Sequence, residues 1–146
     1  MKHKKKVKKH KEKNKPVICP YCGAQAILRP GSYLFNDVSI EQLYVCTKYP
    51  VCDSYVAAHP DKRPMGLLAD AELRMKRREA HHAFDELWKQ GIFTRSVAYK
   101  WMSDLFYIKG QEAHIGKLDI DRCERLIRES VKILRNRREC QMGRAV

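Results

Sequence analysis

The spacing of apolar positions changes character once along the chain. Between Val17 and Ala58 they come in short runs of β-type composition: Ala26-Ile27-Leu28-Arg29, Leu43-Tyr44-Val45 and Ser54-Tyr55-Val56-Ala57-Ala58. The breakers Pro30-Gly31-Ser32 and Asn36-Asp37 separate the first two runs. From Asp61-Lys62-Arg63-Pro64 onward, apolar residues recur every three to four positions, the period of amphipathic helices. The pattern predicts an α+β chain with a small antiparallel sheet within residues 16–60 and a three-helix unit over residues 61–146.

The helices can be sketched from their end signals. Asp70 caps a first helix that buries Leu73, Ala80, Phe84, Leu87 and Trp88, turns Arg74, Lys76, Arg77 and Arg78 to the opposite side, and stops at Gly91. Thr94 opens a second, with Val97, Trp101 and Leu105 inward and an end near Lys109-Gly110. A third follows Gly116-Lys117-Leu118-Asp119 and buries Ile120, Cys123, Ile127, Val131 and Leu134. The segment from Ile108 to Leu118 is far longer than the 3- or 4-residue turn of a helix-turn-helix DNA reader, so the second and third helices are not such a pair.

Charge adds a third segment. The formal net charge is +13, and residues 1–15 hold nine lysines against one glutamate, a balance of +8. With Val7 as its one large apolar residue after Met1, this arm has nothing to bury and is expected to be disordered. Lys4, Lys5, Lys6, Lys8 and Lys9 are candidate phosphate contacts, adding affinity without sequence information. The opening residues lead into no apolar signal region, and no apolar run approaches the roughly 20 residues that span a bilayer, so a cytoplasmic location is expected.

The candidate chemistry lies in four cysteines. Cys19-Pro20-Tyr21-Cys22-Gly23 and Cys46-Thr47-Lys48-Tyr49-Pro50-Val51-Cys52 offer two thiolate pairs on facing turns. That is the ligand set of a tetrahedral zinc ion held at about 2.3 Å from each sulfur. Gly23 permits a positive φ after the first pair, and Pro50 presets the turn of the second. The alternative is a pair of disulfides or unrelated free thiols. One structural zinc is expected, and the sheet is too small to fold without it.

These same residues carry two resemblances. Cys19-Pro20-x-Cys22-Gly23, Arg29 and Cys46-x-x-Tyr49-Pro50-x-Cys52 resemble the C-terminal zinc ribbons of bacterial type IA DNA topoisomerases, with a longer arm between the cysteine pairs. That resemblance implies single-strand binding through basic and aromatic side chains of the sheet. The whole chain is similar to a small bacterial and phage family of zinc-finger-containing domains. Here the likeness continues through Leu68-Ala69-Asp70-Ala71-Glu72-Leu73-Arg74, Phe84-Asp85-x-Leu87-Trp88, Ala98-Tyr99-x-Trp101 and His114-Ile115-Gly116. It implies an architecture and no activity.

Six aromatics, Tyr21, Tyr33, Phe35, Tyr44, Tyr49 and Tyr55, fall near Arg29 and Lys48, and bases stack on such rings for about 1–3 kcal/mol each. Some of the rings are expected to pack on the zinc knuckles instead. Arg29, Lys48, Tyr33 and Tyr44 are the candidate contacts for single-stranded DNA or RNA bound with low sequence specificity. The competing reading is a protein-interaction module docking on a replication, transcription or ribosomal assembly.

Catalysis is not expected. Four thiolates close the coordination of zinc. An HNH-like nuclease needs clustered histidine and polar ligands that His59, Asp61 and His114 do not suggest. His114 is expected to cap a helix start, and His81 and His82 point about 100° apart, one interfacial and one solvated. Cys123 reads as a small buried hydrophobe and Cys140 as a free thiol.

Overall fold

The computed structural model describes residues 15–36 and 40–143, so the basic arm, apart from Lys15, lies outside the described residues together with its candidate lysines. Three antiparallel strands form where the β-type runs were read. β1 (Ala26–Pro30) pairs with β2 (Gln42–Cys46) from Ala26 opposite Cys46 to Pro30 opposite Gln42. β2 pairs with β3 (Tyr55–Ala57) from Leu43 opposite Ala57 to Val45 opposite Tyr55. The order is β1-β2-β3, with the longest run of buried side chains in the central strand. Beyond β3 the chain returns along the sheet's edge. Tyr55 and Ala69 exchange backbone hydrogen bonds of 3.2 and 3.1 Å, and Met65 N–H donates to the Ala57 carbonyl at 2.8 Å.

Three helices follow. α1 (Ala71–Lys89) begins where expected, the Asp70 carboxylate accepting from Leu73 N–H at 3.0 Å, and Gly91 follows its end with φ +71°. α2 (Arg95–Phe106) is capped by Thr94 through Val97 N–H at 3.3 Å. α3 (Ile120–Gly143) is the longest and packs chiefly on α1. Between α2 and α3 two short 3-10 turns, Gly110–Glu112 and Ile115–Lys117, place Ala113, Ile115 and Leu118 in the core beside Phe84, Leu87, Met102 and Leu126.

The inward stripes differ from the sequence reading in instructive ways. In α1 the buried set Leu73, Arg77, Ala80, Phe84, Leu87 runs at four-three spacing, so Arg77 fills a core position although it is charged. Its guanidinium donates to the Leu67 carbonyl at 2.7 Å while Nε has no partner, and burial pulls its pKa down. In α2 the buried positions are Ala98, Met102 and Phe106, one residue on from the expected stripe. Val97 lies in the capped first turn, half in solvent, while Trp101 and Leu105 pack at the margin. In α3 Cys123, Leu126 and Ser130 face α1, and Val131 is exposed. A buried serine with an unpartnered hydroxyl stands where apolar spacing alone would not place one.

Two further expectations are corrected. His81 and His82 are both exposed on α1, since the core stripe passes between Ala80 and Ala83. His114 precedes the second 3-10 turn without a side-chain capping bond, its ring set edge-on to Tyr99 at 6.3 Å. Cys123 is fully buried, which pushes its thiol up to about 11, and Cys140 is exposed.

The edge segment meets the helical unit backbone to backbone. Leu67 N–H donates to the Gly116 carbonyl at 3.0 Å, and a Cβ on Gly116 would run into the Met65 carbonyl oxygen. Gly116→Ala should therefore cost about 1–3 kcal/mol through overpacking, read as a lowered melting temperature, whereas His114→Ala at the exposed neighbouring site should change it little.

Candidate metal centre

Each cysteine pair is positioned by a tight turn with its own hydrogen bonds. In the first, Cys19 N–H donates to the Ala24 carbonyl at 2.8 Å and Gly23 N–H to the Cys19 carbonyl at 3.0 Å. Gly23 takes φ +74°, which a side chain would disfavour. In the second, Tyr49 N–H donates to the Cys46 carbonyl and Cys52 N–H to the Lys48 carbonyl, both at 3.0 Å, across the cis Tyr49-Pro50 bond. Ala26 opposite Cys46 in the ladder brings the two turns to the same end of the sheet.

The four sulfurs converge there. All lie within 4.8 Å of one another, with Cys19 and Cys52 at 3.6 Å and Cys22 and Cys46 at 3.4 Å. Four sulfurs at the corners of a tetrahedron about 2.3 Å from a central ion stand about 3.8 Å apart. The set therefore fits one zinc ion and excludes disulfides, which need a sulfur separation of about 2.05 Å. Cys19 and Cys46 are buried and Cys22 and Cys52 half-buried. Among the described residues this is the one group of three or more His, Cys, Asp or Glu side chains placed to share an ion.

The surroundings treat the sulfurs unequally, easing ionisation of Cys19 and opposing that of Cys46 and Cys52. Burial opposes ionisation of Cys19, but the Ser54 hydroxyl at 3.0 Å and the backbone N–H groups of Cys22 and Tyr21 overcome it and hold the thiol at about 6. Ser54 is fully buried and also lies 3.7 Å from Cys52 Sγ. Against Cys52 the Ser54 hydroxyl again works to lower, but desolvation and crowding by the other three sulfurs push it up to about 12. Burial likewise raises Cys46, with Lys48 N–H aimed at its sulfur from 3.5 Å. Four sulfurs this close ionise together only with a cation among them. Ser54 was absent from the sequence reading; its signal, a small hydroxyl residue two positions past the last ligand, is too common to stand out.

The aromatic candidates separate into two groups. Tyr55 is enclosed by Phe35 at 5.7 Å, Tyr49 at 6.5 Å and the Arg74 guanidinium at 3.8 Å from its ring centre. Tyr44 is half-buried and donates its hydroxyl to the Lys62 carbonyl at 2.6 Å. Tyr33 stays exposed under Arg29, whose guanidinium stands 5.0 Å from its ring centre, and Lys48 is exposed on the second knuckle. Tyr21 is also half in solvent, its hydroxyl accepting from Asp70 N–H at 3.1 Å. Arg74, expected on the solvent side of α1, instead reaches the zinc knuckle: it pairs with both Asp53 carboxylate oxygens at 3.1 and 3.2 Å and donates to the Asp53 and Ala69 carbonyls.

Two outcomes follow for the metal. One zinc per chain should be measured by elemental analysis; Cys46→Ser should abolish it and unfold the sheet, and Ser54→Ala should weaken zinc about 10- to 100-fold in a chelator competition. Because zinc takes thiolates, protons compete with it. Metal-linked stability is therefore present at high pH and lost as pH falls, so acidification should release zinc and melt the sheet together, followed by a metal indicator and circular dichroism.

No curated protein and no solved structure matches this chain. A family model does, across residues 15–133, a span that holds all four sulfurs, the sheet, α1, α2 and α3 as far as Ile133. No match supports the resemblance to the topoisomerase ribbons. The chain belongs to the family described as a zinc-finger-containing domain.

Proposed function

We propose that this zinc-finger protein is a non-catalytic binder of nucleic acid with low sequence specificity, engaging single-stranded DNA or RNA. The observation that carries the reading is the exposed pair of Arg29 and Tyr33 beside a rigid, metal-clamped sheet, in a chain of net charge +13. A cation above an open aromatic face offers a phosphate contact and a stacking surface within one base step. The lysine-rich arm of residues 1–15 adds electrostatic attraction that any polyanion feels. The zinc is structural in this reading because four thiolates leave it no open position for water or substrate.

Tyr44 is the weaker of the two tyrosine candidates, because its hydroxyl and one side of its ring are engaged within the protein. Lys48 remains a phosphate contact on the knuckle. Docking on a protein assembly is the second reading. It is favoured by Val51, 95% exposed, and half-exposed Tyr21 on a cleft of about 390 Å³ beside the zinc turns.

Fluorescence anisotropy with single-stranded and duplex oligonucleotides separates the two. Deleting residues 1–15 should weaken binding and flatten its dependence on salt, and an unchanged slope would remove the arm from the mechanism. Tyr33→Ala should reduce single-strand affinity by about 1–3 kcal/mol and duplex affinity less; equal losses would argue against stacking.

A further inference from the structure

The folded part of the chain distributes its charge unevenly. Residues 16–60 hold two cations, Arg29 and Lys48, against three carboxylates, Asp37, Glu41 and Asp53, a balance of −1. Residues 61–146 hold nineteen cations against thirteen carboxylates, +6, and within them residues 125–138 hold six against the single Glu129, +5. The zinc-bearing sheet, whatever bases it meets, supplies little of the electrostatic attraction. The largest share of it lies on α3, whose full length from Ile120 to Gly143 holds seven cations against four carboxylates, +3.

The geometry of α3 turns this concentration into a surface. Cys123, Leu126 and Ser130 bury one side against the core, while Arg125, Arg128, Lys132 and Arg135, spaced three, four and three residues apart, line the other and are all exposed. Arg138 extends the row by another turn. Of these five, only Lys132 has a carboxylate within ion-pair distance among the described residues, Glu129 at 3.4 Å, and Arg125 also stands 5.8 Å from the Phe106 ring centre. The row from Arg125 to Arg135 covers about 15 Å at 1.5 Å per residue, room for several phosphates.

Two ordinary explanations fall short. Cations that offset a helix dipole belong in its last turn, and the last turn of α3 has no basic residue. A helix lying on a membrane needs a free apolar face, and that of α3 is spent on the core.

We propose that the exposed face of α3 from Arg125 to Arg138 is the main phosphate-contacting surface of the folded protein, gripping the backbone of DNA or RNA without reading bases. The proposal rests on the nucleic-acid reading above and assigns the electrostatic part of binding to a different element. α3 itself carries no aromatic residue, so the row grips single strands and duplexes alike, in contrast to Tyr33.

The test compares R125Q/R128Q/K132Q/R135Q with R29Q/K48Q in the full chain, using single-stranded and duplex oligonucleotides over a salt series. Zinc content and helicity are checked for each. Each lost duplex contact removes about 0.9 from the slope of log affinity against log salt. The α3 variant should lose about 3 to 4 in slope, and at least tenfold in affinity for both forms at low salt. The two-site variant R128Q/R135Q, gentler on the fold, should lose about half that slope. A wild-type slope in both α3 variants beside a reduced one in R29Q/K48Q overturns the assignment and leaves the nucleic-acid reading standing. An unmodified chain that binds neither form overturns both.

Discussion

The sheet depends on its metal because, beyond Leu43, Val45 and Ala58, it buries few apolar side chains away from the sulfurs. Around the sulfurs the fully buried cluster consists of Cys19, Ala26, Cys46 and Leu68, two of which are ligands. Val17, Ala24, Tyr44 and Val56 border it without being enclosed. Three strands of five, five and three residues cannot offset the entropy of ordering their chain with so little apolar area. Four metal–sulfur bonds at one end of the ladder supply what the core lacks.

The metal site also determines how the helices attach. Leu68 closes the cluster from a segment that returns along β3, and that segment runs directly into α1. Arg74 in the first turns of α1 ties back to Asp53, next to the ligand Cys52, and covers the face of Tyr55. Tyr21, inside the first knuckle, accepts from the backbone of the cap residue Asp70. Both zinc turns thus touch the start of α1, so loss of the metal should be felt at the helix junction as well as in the strands. A side chain 20% exposed and held by a bidentate pair, two carbonyls and an aromatic face is worth more than an isolated surface ion pair.

What the sequence revealed, and what it hid, follows from the physics of each signal. The cysteine spacing, the three strands, the Asp70 and Thr94 caps and the stop before Gly91 were legible because each depends on a local rule that a few neighbouring residues satisfy. The buried faces were legible only in part. Arg77 and Ser130 occupy core positions in violation of polarity, and one such residue shifts or interrupts the stripe read from apolar letters. Arg74 illustrates the other limit: its partner Asp53 is twenty-one residues away on a different element, and nothing local marks an arginine as a clasp. The same holds for Tyr44, whose hydroxyl is claimed by a carbonyl eighteen residues on. Of the ligand-binding candidates, the metal set was readable in full because its chemistry demands a fixed spacing. The aromatic set was not, because a ring serves packing and stacking equally well.

Under the nucleic-acid reading proposed above, this division bears on how such a small protein would bind without a deep pocket. The sheet is rigid but slightly acidic, which limits it to a few specific contacts such as an open ring under a guanidinium. The third helix is rigid and basic but carries no ring along its exposed row, which limits it to charge. The sheet sets its guanidinium–ring pair in a region of net charge −1, the helix offers charge without a ring, and long-range attraction decays over about 8 Å in physiological salt. A ligand long enough to meet both would gain the two kinds of contact on one scaffold, with their separation held by the clasp between the zinc knuckles and α1. Under that proposal, a change that loosens Arg74 from Asp53 should weaken binding of long oligonucleotides while leaving short ones, which reach only one surface, unaffected.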